Sequence, residues 1–343
     1  MSNQVGKLSP SRMEGLLAGS FGTPSDALLV GSGPGLDAAV ISMGDGRVMA
    51  IAEDPIFPAP GLPLEIMGEF TVHIGASDVA VTGVKPTFMT YSLLLPPGTP
   101  EEDARTIVTS ISKTAEELGI SIAGGHTGWY GGIAMPIVGG VTVWGFAPDG
   151  EWISPGGAED GDVILMTKGP SIEAAALLAV LYKEKLEGSL GSDIMEKLLS
   201  RVSQITVVND ALTAFRAGGV HAMHDATEGG VLGGLWEISA SSGIKVHADF
   251  DLAGVPHDIA CFAEALGFDP WAAISEGTLL AAVHPNSVAG VRAALKAEGI
   301  ESFVLGTFDA SAKTSTVKRD GVTAELGEPG TDPFWGLFFA GLS

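Results

Sequence analysis

The stretch from Gly219 to Ile238 constrains the fold of this chain more than any other. An apolar run, Gly219-Val220-His221-Ala222-Met223, ends in the polar cluster His224-Asp225-Ala226-Thr227-Glu228. Gly229 and Gly230 follow, and then Leu232, Leu235, Trp236 and Ile238 recur at helical spacing. The pattern predicts a strand that turns through glycines into a helix. Asp225 or Thr227 would cap that helix, and Glu228 would sit in its first turn. Glycines let another backbone or a phosphate come close, and the free N–H groups of a first helical turn attract anions. The segment therefore suits phosphate, although an ordinary strand–helix joint fits the same pattern.

The surrounding chain has the material for a large core. Of its 343 residues, 45% are hydrophobic and only 17% charged, so two domains of ordinary size are expected. The formal charge is −23, from 18 basic and 41 acidic residues. That balance excludes a nucleic-acid binder that works by counterion release and disfavours anionic membrane surfaces. The one cysteine, Cys261, precludes an internal disulfide or a cysteine-based zinc site, and its apolar neighbourhood predicts a buried, inert thiol. The N-terminal residues lack a signal-peptide pattern, and no apolar run reaches membrane-spanning length, so a cytoplasmic location is expected.

Strand and helix patterns alternate through the first half, around a glycine-rich loop at Gly31-Ser32-Gly33-Pro34-Gly35 and a turn at Asp45-Gly46. Helices are predicted over 64–81 and 100–118, the second with Glu101, Glu102 and Asp103 in its first turn. A strand at 120–123 is expected to run into a loop, Gly124-Gly125-His126-Thr127. Turn signals crowd between Pro148 and Asp162 and place a domain boundary there, giving domains of residues 1–150 and 151–343. The second half restarts with a strand at 163–166, and one helix is expected over 171–186. The expected class is a mixed α+β and α/β fold of two domains.

Acids recur where strands and helices meet glycine-rich segments. Asp37 follows Gly33-Pro34-Gly35-Leu36, Asp54 ends a strand, Asp78 lies within an apolar helix, and Asp225 ends the later strand. A carboxylate on an apolar helix face is costly unless paired or bound to metal, and hard oxygen ligands suit Mg²⁺. Separate caps and turn residues would account for the other three acids equally well. His126 could serve as a general acid or base or as a phosphate partner, or simply as a hydrogen-bonded loop residue. Glu276-Gly277 reads as a turn and Lys168 as a solvated side chain. A P-loop, a Rossmann fingerprint and a serine nucleophile elbow are all missing.

In this order, these segments resemble the aminoimidazole-ribonucleotide-synthetase-like (PurM-like) superfamily of ATP-using enzymes across nearly the whole chain. Gly35-Leu36-Asp37-Ala38-Ala39-Val40, Ala52-Glu53-Asp54, Ser77-Asp78-Val79-Ala80 through Pro86, and Gly124-Gly125-His126-Thr127 are similar to its recurrent motifs. Asp225-Ala226-Thr227-Glu228-Gly229-Gly230, and Ala265 through Pro270 followed by Glu276-Gly277, resemble the HypE hydrogenase-maturation branch. The resemblance implies an N-terminal sheet domain that makes a homodimer and a C-terminal α/β domain, with ATP between them. It implies Asp37, Asp54 and Asp78 as Mg²⁺ ligands. Gly33, Gly35, Gly124, Gly125, Thr127, Thr227, Gly229 and Gly230 would line the nucleotide, and His126, Asp225 and Glu228 would be catalytic groups.

The sequence also departs from each branch. The HypE branch ends in a cysteine that carries a carbamoyl group, whereas this chain ends Phe339-Ala340-Gly341-Leu342-Ser343. Leu36 stands where vitamin-kinase relatives have the first aspartate of a pair, and His126 stands where they have another. The expectation is therefore Mg²⁺-dependent phosphorylation of an amide, carbamoyl or acid oxygen on a small-molecule or protein-bound acceptor. A kinase of a phosphorylated vitamin precursor and a nucleotide-binding maturation partner without turnover are the alternatives.

Overall fold

The computed structural model describes residues 5–57 and 59–340. It begins with helix α1 (Pro10–Leu17) and the short strands β1 (Leu28–Val30) and β2 (Ala39–Ser42). Strand β3 (Arg47–Ile56), helix α2 (Leu64–Ala80), strand β4 (Phe88–Leu95), helix α3 (Glu101–Leu118), and strands β5 (Ser121–Trp129) and β6 (Ile137–Pro148) complete the first half. Its six strands lie in the order β1-β2-β3-β6-β4-β5. Every pairing is antiparallel except β4 with β5, which leaves β5 on an edge.

Packing explains the two long helices of this half. Helix α3 is amphipathic and buries Ala104, Ile107, Ile111 and Ala115 before stopping at Gly119 in the left-handed conformation. Helix α2 is mostly apolar and mostly enclosed by other elements, with Glu65 exposed and Glu69 half-buried on its outer side. It buries eleven residues, from Met67 to Ala80, and Asp78 is among them.

The second half contains β7 (Val163–Thr167), α4 (Ile172–Leu181), α5 (Lys183–Leu190), α6 (Ser192–Ser200), α7 (Val208–Ala217) and β8 (Val220–Asp225). It continues with α8 (Gly230–Ser242), β9 (Lys245–Asp249), α9 (His257–Leu266), β10 (Leu279–Val283) and α10 (Val288–Ala297). Strands β11 (Ser302–Asp309), β12 (Thr316–Arg319) and β13 (Val322–Glu325) and helix α11 (Pro333–Ala340) close the described chain. The seven strands run β13-β12-β9-β11-β7-β10-β8. Strand β10, Leu-Leu-Ala-Ala-Val, is buried at every position because it lies inside this sheet between β7 and β8.

One hydrophobic cluster runs through both halves, from Ala38 to Phe338. Two bonds to the α2 region pin the halves together: the Val207 N–H donates to Ser77 Oγ at 3.1 Å, and the Ile153 N–H donates to the Thr82 carbonyl at 2.9 Å.

Three local expectations change. The helix predicted over 171–186 breaks at Tyr182 into α4 and α5. The Gly124–Thr127 loop is part of β5, because β4 supplies its hydrogen-bonding partners through this stretch. An unanticipated hairpin, β12–β13, turns at Asp320-Gly321, with both residues at positive φ.

Candidate active site

The two halves meet at a line of charged side chains. Asp37, on the loop before β2, accepts from His224 Nδ1 at 2.6 Å. His224 sits near the end of β8, and its Nε2 donates to Glu237 of α8 at 2.9 Å. Glu237 also meets the Lys7 ammonium at 3.1 Å. Burial opposes charge on His224, but Asp37 and Glu237 outweigh it and hold the imidazole well above its ordinary pKa. Burial likewise works against the Glu237 carboxylate, yet His224 and Lys7 bring it down to about 2. The result is a buried imidazolium between two carboxylates.

Beside this row lie acids that have no cation of their own. Asp225 is fully buried, and neither of its carboxylate oxygens has a hydrogen-bond partner. Burial, followed by the charge of Asp37, raises it to about 6. Both carboxylate oxygens of Glu276 are likewise buried and meet no cation among the described residues; burial, then the neighbouring Asp225, pushes its carboxyl well up, with Ser77 opposing them. Asp78 is 7% exposed. Burial drives its carboxyl far above the usual range, and Asp54, Asp225 and Asp37 add repulsion. Glu173 of α4 accepts the Glu276 N–H at 3.2 Å and is raised to about 8 by burial.

Like charges held this close in low dielectric are stable only if protonated or matched by cations. Ligand atoms of Asp37, His224 and Asp225 lie within 4.8 Å of one another. A charged His224 with both nitrogens donating has no lone pair for a metal, so the oxygens of Asp37 and Asp225 are the ligands available there. Orphaned carboxylates together with half-buried Asp54 form a donor set that fits a hard divalent cation.

The remaining predicted residues fall in different places. Gly33 and Gly35 lie on the loop leading to Asp37, and Gly35 abuts the Glu237 carbonyl so closely that a Cβ would stand 2.5 Å from it. The expected phosphate cradle at the start of α8 is corrected. The Gly229 N–H donates to Asp332 at 2.8 Å, the Gly230 N–H to the Thr227 carbonyl at 2.9 Å, and the Leu232 N–H to the Trp271 carbonyl at 3.0 Å. These donors are already used within the protein. Gly230 is glycine for packing, since at φ +59 a Cβ would lie 2.5 Å from the Ala273 carbonyl. Neither Asp225 nor Thr227 caps the helix; Gly229 is its N-cap, and Asp332 supplies the carboxylate beside it. Glu228 Oε2 accepts from the Lys7 N–H at 2.7 Å and from Trp335 Nε1 at 2.8 Å, so it anchors other segments.

Gly124, Gly125, His126 and Thr127 are not brought to the acids. Across the first sheet Asp54 faces Val141, Val141 faces Tyr91, and Tyr91 faces Gly125. Three strand spacings, roughly 14 Å, therefore separate Asp54 from that row of β5. His126 is exposed there and contacts Tyr130.

Sequence reasoning missed His224, Glu237, Glu173, Glu276 and Lys7. The test that singled out Asp78, an acid inside an apolar run, applies equally to Glu173, Glu237 and Glu276. Glu276 is a buried acid and not a simple turn residue. Lys168 is also not solvated: its ammonium contacts the Gln204 and Thr206 carbonyls and Asp210.

Residues 35–147 match the N-terminal domain of AIR synthase related proteins, and residues 159–318 match the C-terminal domain. The chain belongs to the AIR synthase related family. Carbamoyl dehydratase HypE of Cupriavidus necator is 30% identical over 253 residues, which span 72% of this chain and 68% of that one. Among solved structures, a HypE–HypF complex aligns with TM-score 0.75 at 21% identity, covering 92% of this chain and 99% of its counterpart. HypE in complex with ATP aligns with TM-score 0.67 at 20% identity, covering 96% and 98%. Family membership fixes the two-part PurM-like architecture, and the two-sheet structure agrees with it. Among the described residues no helix is long and apolar enough to cross a membrane.

Proposed function

We propose that this protein is a Mg²⁺-dependent, ATP-using enzyme that phosphorylates an amide, carbamoyl or acid oxygen of an acceptor. The observation that carries this reading is the buried cluster of Asp78, Asp225 and Glu276, whose carboxylates meet no cation within hydrogen-bond distance among the described residues. Asp37, Asp54 and Asp78 would hold the metal, with Asp225 and Glu276 as further oxygen donors. Bound Mg²⁺ would neutralise charge on phosphoryl oxygens. His224 fixes Asp37 and Glu237 in place, and the joint between the halves keeps water from Asp78 and Asp225. Positioning and charge are what phosphoryl transfer chiefly requires of a protein. The carbamoyl dehydratase relative and the ATP complex of HypE support the nucleotide and the class of acceptor oxygen.

The same reading includes a homodimer formed through β5. That edge carries Ile122 and Trp129 exposed, followed by exposed Tyr130. An open edge with large apolar side chains calls for a covering partner. Such a contact would enclose Gly124, Gly125, His126 and Thr127.

The test is Mg²⁺-dependent release of ADP from ATP, measured with a carbamoyl donor and, separately, with a phosphorylated vitamin precursor. Turnover stimulated by the carbamoyl donor is expected. Stimulation by the vitamin precursor alone would replace the acceptor class, and tight ATP binding without turnover would make the protein a nucleotide-binding maturation partner.

A further inference from the structure

We infer that Lys7 meets the terminal phosphate of the nucleotide, presented to it by an N-terminal strap. The inference rests on the nucleotide-using reading above. Among the described residues, two cations contact the acid row, His224 and Lys7. His224 is 1% exposed and spends both nitrogens on Asp37 and Glu237, so it has no donor for a ligand. Lys7 differs on both counts. Its side chain is 43% exposed, and its ammonium, which carries three donors, contacts Glu237 at 3.1 Å. Charge from Glu237, Asp37 and Asp225 outweighs burial and raises its pKa, so it stays a cation at any working pH.

The strap that carries Lys7 is fitted to the site. Gly6 has φ +99, and a Cβ there would lie 2.4 Å from Glu228 Oε2 and 2.5 Å from Trp335 Nε1. Only glycine takes that conformation in that space. The Lys7 N–H is fixed on Glu228 at 2.7 Å, and the Ser11 N–H on Glu328 at 2.7 Å, just inside α1. The lysine is thus tied down at its own N–H and again four residues on, beside the row of Asp37, His224 and Glu237. Metal ions would satisfy those carboxylates, but phosphate oxygens facing away from the metal still need a positive partner. An ammonium that spends one of its three donors on Glu237 among the described residues suits that role as a point charge.

The full-length chain and its Lys7→Met and Lys7→Arg variants are to be compared by equilibrium binding of ATP, ADP and AMP in Mg²⁺. Glu237 keeps His224 as a partner in both variants, and a thermal melt confirms folding. Lys7→Met is expected to weaken ATP by about tenfold or more while leaving ADP and AMP near the parent values, and Lys7→Arg to recover part of the loss. An equal loss for all three nucleotides would mean a purely structural strap and would overturn the inference. Unchanged or tighter ATP binding would overturn it as well, while leaving the nucleotide-using reading intact. A parent that binds no nucleotide would overturn both.

Discussion

The joint between the two halves and the outer edge of the first sheet treat polar groups in opposite ways. At the joint, Asp78, Asp225 and Glu276 are buried and meet no cation within hydrogen-bond distance among the described residues, a state that costs several kcal/mol per charge unless something else is bound. Along β5, His126 and its neighbours are exposed in the protomer, and His126 pairs with Tyr130. Both regions come from similar sequence, polar residues among glycines. The difference teaches that unpaid desolvation, and not a glycine-rich pattern, marks the place built for a ligand.

The largest expected effect comes from removing acid at the joint. Asp54→Asn and Asp78→Asn should each fold and lose Mg²⁺-dependent nucleotide use by about a hundredfold or more, since a metal ligand contributes several kcal/mol of charge stabilisation. Asp78→Asn should leave stability unchanged or raised, because its carboxyl is costly in the absence of cations. Turnover assays with thermal melts check both. Parent-like turnover in the two variants would remove the metal assignment and with it the contrast between joint and edge.

Second is His224→Ala, which leaves Asp37 and Glu237 facing each other without their shared cation. A loss of about 3 to 5 kcal/mol in stability is expected, as for other broken buried ion pairs. Urea unfolding measures it, and a change within about 0.5 kcal/mol would show that the imidazolium does not hold the halves together.

Much of this was legible before the fold was known. Asp78 betrayed itself because the apolar run around it has no reason to carry a carboxylate, and Gly75 to Ala80 at that end of α2 prove to be buried throughout. The strand–turn–helix at 220–242 formed as its periodicity dictates. The role of its glycines was not legible, because what Gly230 abuts is the carbonyl of Ala273, set by tertiary packing more than forty residues away. His224 was passed over for a similar reason. Its two carboxylates come from a loop 187 residues earlier and from a helix 13 residues later, so no local pattern joins them. The Gly124–Thr127 loop failed because glycines were read as breakers, whereas the long β4 strand supplies a full ladder to them.

Third, pH should act on the joint. Asp225 is raised to about 6 and Glu173 to about 8, chiefly by burial. A carboxyl raised in the folded state holds a proton that the unfolded chain has released. Its stabilising contribution is complete below the unfolded value, near 4, and is lost as pH rises through 6 and 8. Glu237, at about 2, is already ionised across that window and adds no slope. The metal-free protein should therefore melt lower at about pH 8 than at about pH 5.5, and Mg²⁺ should raise melting more at the higher pH. An equal Mg²⁺ effect at both values would detach the raised carboxyls from metal binding.

Fourth, the β5 edge should yield to a charge. Ile122→Lys should convert the proposed dimer to monomer in light scattering at micromolar concentration, with the melt of each protomer nearly unchanged, since Ile122 is 39% exposed. A parent that is monomeric under the same conditions would remove the dimer.

The smallest effect is expected at Cys261. The thiol was expected to be buried, but it is half-exposed, because α9 turns Ile259, Phe262 and Ala263 to the core and leaves position 261 to one side. Its Sγ lies 3.3 Å from His257 Nδ1, one helical turn away. A half-exposed thiol is open to an incoming acyl donor, so a self-modifying route through Cys261 is tested and not assumed away. Against that route stands its place in the fold: α9 supplies none of the carboxylates gathered around Asp225, and no carboxylate of that group hydrogen-bonds to His257 or Cys261 among the described residues. Residues 341–343 lie outside the described residues, and the hydroxyl of Ser343 is a poor nucleophile without a base. Cys261→Ala, and removal of Leu342 and Ser343, should therefore leave ATP-dependent activity largely intact, with the acceptor arriving as a separate molecule. Mass spectrometry after incubation with ATP and a carbamoyl donor decides the matter: an adduct on Cys261 that disappears together with activity in the alanine variant would make this chain its own acceptor.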